Sequence, residues 1–112
     1  MDCDKILEVD KSIGFAMIVD SGGNVLEWKT HAKAMYMPKD IVEKFVGPWS
    51  AVVADVLLKM EDFFGRIDHV SIYHEKLDII GFPADDKFII ITARKDMPTE
   101  IIPKIKRMLT GT

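Results

Sequence analysis

Two stretches of this chain are apolar on both faces of an extended strand, and few folds can accommodate that. In Ser12 to Asp20, Ile13, Phe15, Met17 and Val19 alternate with Gly14, Ala16 and Ile18. Phe88 to Ala93, Phe-Ile-Ile-Ile-Thr-Ala, repeats the pattern. Such strands belong in the middle of a sheet covered on both sides. Two other stretches have one wet face. In Val25 to Thr30, Leu26 and Trp28 alternate with Glu27 and Lys29, and in Asp68 to Glu75, Val70 and Ile72 alternate with His69, Ser71 and Tyr73. Both read as edge strands.

The remaining elements follow from punctuation and periodicity. Ser21-Gly22-Gly23-Asn24 is a hairpin loop between the first two strands. Pro38 opens a helix with the apolar stripe Ile41, Val42, Phe45 and Val46, and Gly47-Pro48 breaks it and starts a longer one that stops at Gly65. In that longer helix Trp49, Val52, Val53, Val56, Leu57, Met60, Phe63 and Phe64 cover one broad face, which predicts a helix lying on the sheet. Leu77 to Phe82 is a strand ending at the turn Pro83-Ala84-Asp85-Asp86. Ile101, Ile102, Ile105, Met108 and Leu109 form the buried face of a last helix, with Asp96 and Thr99 as candidate caps and Pro103 tolerated near its start. Residues 1–112 therefore form one α/β domain of order ββαβββα. Placing the doubly apolar strands centrally gives one five-stranded antiparallel sheet in the order 2-1-5-4-3, with helices on both faces.

Charge and cysteine usage narrow the function classes. A net charge of −3 lacks the basic field that nucleic-acid binding needs, and the cluster Lys104, Lys106 and Arg107 reads as a solvated helix face. The single cysteine, Cys3, cannot form an internal disulfide, which fits a reducing compartment, and it reads as a bystander near a mobile terminus. The acidic start Met-Asp-Cys-Asp lacks a signal-peptide layout, and no apolar run reaches membrane-spanning length, so the expected location is the cytoplasm with no membrane partner.

No catalytic pattern emerges. His69 and His74 are five apart on one strand and point to opposite faces, and His31 is distant in sequence, so no metal site is expected. The serines lack a nucleophile elbow, and Gly22-Gly23 precedes a strand rather than a phosphate-binding helix. Asp85-Asp86 and Glu61-Asp62 read as solvated carboxylates. The expectation is a non-enzymatic protein without a cofactor. The loop Ala34-Met35-Tyr36-Met37 is unusually apolar, and Met35, Tyr36 and Met37 are candidate contact residues, with folding back over the core as the alternative.

The first hairpin, Ile13 to Leu26, and the closing segment, Phe88 to Leu109, carry a resemblance to roadblock-type dynein light chains and the related longin and profilin-like domains. Asp10 to Asp20, Trp49 and Tyr73-His74-Glu75-Lys76 are also similar to small uncharacterised archaeal proteins of this plan. Roadblock proteins begin with a full amphipathic helix, whereas only Asp2 to Val9 is available here. The resemblance implies a homodimeric scaffold or regulator acting through protein–protein contacts, often near a small GTPase. A five-stranded sheet with helices also resembles PAS and GAF domains, so a small-molecule sensor is the alternative.

Gly47, Ala51, Ala54 and Leu58 lie opposite the apolar stripe of the middle helix, at spacings of four, three and four. Small residues with a leucine would let a second helix approach closely. The same pattern suits an ordinary solvated helix face. Roadblock pairing through the middle helix and adjoining edge strand implies a dimer contact at Gly47, Ala51, Ala54 and Leu58 together with His69, Ser71 and Tyr73.

Overall fold

The computed structural model describes residues 2–20, 22, 24–31, 40, 43–44 and 47–110. Its elements are α1 (Cys3–Leu7), β1 (Ile13–Asp20), β2 (Val25–Thr30), α2 (Gly47–Lys59), α3 (Glu61–Phe64), β3 (Val70–Tyr73), β4 (Asp78–Ala84), β5 (Lys87–Ala93) and α4 (Ile101–Thr110). Ile41, Val42, Phe45 and Val46 lie outside the described residues. The strands form one antiparallel sheet in the order β2-β1-β5-β4-β3, with the doubly apolar β1 and β5 paired near its centre.

Each face of that central pair feeds a separate core. On one side Ala16, Ile18, Ile80, Phe82, Ile89 and Ile91 meet Cys3 and Ile6 of α1 and Ile101 and Ile105 of α4. On the other, Phe15, Met17, Val19, Phe88 and Ile90 form a second cluster, on the side where α2 crosses β1 and β5. Ile13 joins the first cluster rather than the side of Phe15, Met17 and Val19. The cause is a register shift in the β1–β5 pairing between Ile13 and Phe15, which breaks strict alternation at Gly14.

The turns follow their side chains. Asp20 Oδ1 accepts from the backbone N–H groups of Gly22 and Asn24, each at 2.9 Å, which closes the first hairpin. The second hairpin is tighter than expected. Pro83 and Ala84 belong to β4, and only Asp85-Asp86 turn, with Asp85 at φ 56°. Aspartate is among the residues that tolerate that region. Pro83 fits in β4 because β3 pairs no further than Gly81, leaving β4 a single neighbour there. β3 is shorter than the expected Asp68 to Glu75, since His74 N–H turns back to donate to Leu77 O at 2.9 Å. In α4, Pro103 sits in the first turn, where its missing N–H leaves no bond unmade, and Lys104 N–H donates to Glu100 O.

The N-terminal segment is a structural part of the core. Asp2 caps α1 by accepting from Lys5 N–H at 2.9 Å. Cys3 is fully buried, which corrects its reading as a terminal bystander. Burial first, and then the carboxylate of Glu27, push its thiol up to about 12, so the side chain stays protonated and behaves as a small apolar residue. Cys3 N–H donates to Glu27 Oε1 at 3.1 Å and Asp4 pairs with Lys29 at 2.6 Å, both tying α1 to β2.

Gly81 shows how closely the second cluster is filled. A Cβ there would lie 2.4 Å from Cε1 of the buried Phe88 ring. Overpacking costs about 1–3 kcal/mol, and the restricted unfolded chain returns up to about 1 kcal/mol. Gly81→Ala should therefore lower unfolding stability by about 1–2 kcal/mol in a urea titration, and adding Phe88→Leu should recover part of that loss. A Gly81→Ala protein as stable as wild type would show that the ring is not so confined.

Candidate protein-binding surface

Pro48 lies in the first turn of α2, where a missing N–H is harmless. Asp55 and Lys59 pair at 3.0 Å one turn apart on its surface. At Met60 the helix tightens, the single turn of α3 follows, and Gly65 ends it at φ 84° with its N–H donating to Glu61 O at 2.8 Å.

The orientation of α2 differs from the one its periodicity suggests. Of the stripe expected to lie on the sheet, only Val53 and Leu57 are half-buried. Trp49 is 48% exposed, Val52 64%, Val56 52%, Met60 42%, Phe63 84% and Phe64 78%. Trp49, Val52, Val56, Met60 and Phe63 follow one another at spacings of three, four, four and three, so they form a continuous outward ridge. Leu58, expected on the outer side, is half-buried. Periodicity locates the apolar strip of α2, but the most apolar side of a helix need not face the sheet. Here that strip is wider than the sheet contact, and much of it faces outward.

Beside the ridge, Trp49 and Val53 of α2 face Val70 and Ile72 of β3 and Ile79, Gly81, Phe88 and Ile90 across a gap of about 20 Å³. Apolar surface thus runs from α2 to the edge strand. His69, Ser71 and Tyr73 alternate to the opposite face of β3, toward α4. There the His69 ring stacks on Phe82 with centroids 6.2 Å apart, and Lys95 Nζ lies 5.4 Å over the Tyr73 ring while pairing with Asp78 at 2.5 Å. Ser71 Oγ is buried without a hydrogen-bond partner among the described residues. The structure therefore does not place His69, Ser71 and Tyr73 on the side of the α2 ridge. The burial of Gly47, the side chains of Ala51 and Ala54, and the residues Met35, Tyr36 and Met37 lie outside the described parts.

Among the described residues no group of three His, Cys, Asp or Glu side chains could hold a metal, and no helix is long and apolar enough to cross a membrane. What the geometry offers is contact area. Sequence reasoning missed that the outward ridge includes Val52 and Val56. The signal was present in the width of the apolar arc, from Trp49 through Leu57, which exceeds what one sheet contact covers.

No family model and no curated protein matches the sequence. Solved structures do match in shape. An MglB with tetrameric arrangement shares 15% identity at a TM-score of 0.77, covering 95% of this chain and 77% of that one. The roadblock/LC7 domain from Streptomyces avermitilis shares 11% identity at a TM-score of 0.74, covering 99% and 93%. Myxococcus xanthus MglB shares 9% identity at a TM-score of 0.77, covering 97% and 85%. The chain has the roadblock/LC7 fold, as its first hairpin and closing segment suggested.

The orientation of α2 can be checked residue by residue. In dilute protein, Val52→Ala and Val56→Ala should each change unfolding stability by no more than about 0.5 kcal/mol, the range for exposed positions. Leu57→Ala should cost about 1–2 kcal/mol, less than a fully buried leucine. Equal losses at all three positions would mean that Val52 and Val56 face the sheet.

Proposed function

We propose that this domain is a non-enzymatic binding module that acts as a homodimeric scaffold or regulator, with α2 and the neighbouring β3 edge as its contact surface. One observation carries the reading: Trp49, Val52, Val56, Met60 and Phe63 form an exposed apolar ridge continuous with the half-buried Val70 and Ile72. Large contiguous apolar patches of this kind mark interaction sites. Asp55 and Lys59 beside the ridge pair with each other, so these two charges do not select a charged partner, and an apolar ridge suits a second copy of itself. The likeness to an MglB of tetrameric arrangement supports self-association. A small GTPase remains the partner class implied by the roadblock resemblance.

The sensor alternative finds less support. The gap between α2 and the sheet, about 20 Å³, has room for about one water rather than a cofactor.

Light scattering on a sizing column tests the proposal. Wild type should elute as a particle of two 12.7 kDa chains. Val52→Glu combined with Val56→Glu should shift it to monomer by weakening association at least about tenfold, roughly 1.4 kcal/mol, with its circular dichroism spectrum and melting unchanged. A monomeric wild type at tens of micromolar, or a double variant that dimerises as tightly as wild type, would defeat the reading.

A further inference from the structure

We propose that α4 holds the β3 edge in position through Lys106, and that this tie sets how well β3 is presented for assembly. The proposal rests on the reading of α2 and β3 as the homodimer surface. β3 has four residues and, among the described residues, pairs only with β4 and has its other edge open. A ladder that short against one neighbour opens locally at low cost. Its own side chains add little polar anchorage on the α4 side, where Ser71 Oγ is buried without a partner among the described residues.

What fixes the strand is the segment leading into it. His69 stacks on Phe82, whose side chain is fully buried. Asp68 Oδ2 lies 3.1 Å from His69 Nδ1, and the same oxygen accepts from Lys106 Nζ of α4. These contacts, with Lys106 first, hold the Asp68 carboxyl below its ordinary range. The lysine is itself well founded. It follows Ile105, which is fully buried, its side chain is only 26% exposed, and Ile102 and Leu109, about one turn before and after it, pack against the core. Motion of α4 is thereby coupled to the start of the open edge. Loss of the Lys106 charge, by substitution or by acetylation, removes the polar link while leaving the apolar anchor of α4 in place.

Hydrogen exchange on the full chain tests this at one fixed protein concentration. Asp68 is largely exposed, so the expected effect is modest. In Lys106→Ala the amides of residues 70–73 should exchange about three- to fivefold faster, with β1 and β5 unchanged, and the dimer should weaken by a similar factor in sedimentation equilibrium. Lys106→Arg, and the exchanged pair Lys106→Asp with Asp68→Lys, should restore both. Unchanged exchange in β3 would overturn the proposal, as would faster exchange with an unaltered dimer constant. If Lys106→Ala accelerates β1 and β5 as well, wild type in roughly 1 M NaCl decides, because screening should then loosen β3 alone. Salt-insensitive β3 protection would again overturn the tie. A monomeric wild type would defeat the homodimer reading and the assembly claim together, while the exchange comparison would still judge the Lys106 link itself.

Discussion

The pairing of β1 with β5, buried on both faces, is the constraint from which the rest of the structure follows. Met17 opposite Ile90 and Ala16 opposite Ile91 place apolar side chains above and below the same backbone ladder. Neither face can be left to water. At about 25 cal/mol per Å² of apolar surface, leaving one side open would forfeit a large part of the stability of so small a domain. The chain therefore needs a layer on each side. α4 and the short α1 supply one, and α2 crosses the other. The half-polar β2 and β3 are left as edges.

This division explains why five residues suffice for α1. A helix that short has little stability alone. It persists because Cys3 and Ile6 are buried under β1, Asp2 caps its first turn, and Glu27 and Lys29 of β2 hold it from the side. The exposed residues of α1 are Asp4 and Lys5, so the helix itself adds little apolar surface. The exposed apolar area of the described residues concentrates instead on α2 and α3.

Strand order was legible because two-residue alternation is a strong signal and the doubly apolar strands admit few arrangements. The register shift at Gly14 was not legible, since a one-residue slip depends on pairing with β5 rather than on the composition of β1. The extension of β4 through Pro83 was hidden for a related reason: whether proline disrupts a strand depends on whether a neighbour faces its nitrogen. The exposed apolar ridge of α2 was only half legible. Trp49, Val52 and Val56 stood out as apolar, but periodicity reports that a helix has an apolar side without reporting what covers it. Cys3 could be placed only once β2 and α1 were seen together.

An outward row of Trp49, Val52, Val56, Met60 and Phe63 is costly to leave in water, and the proposed binding role requires that a partner cover it. Side-chain oxidation by hydroxyl radicals, compared between dilute and concentrated protein, measures that covering directly, because tryptophan, methionine and phenylalanine are modified when exposed. The account predicts that Trp49, Met60 and Phe63 become protected as concentration rises while the half-buried Met97, on the opposite face, keeps a constant rate. Oxidation of the three ridge residues that is independent of concentration would contradict it.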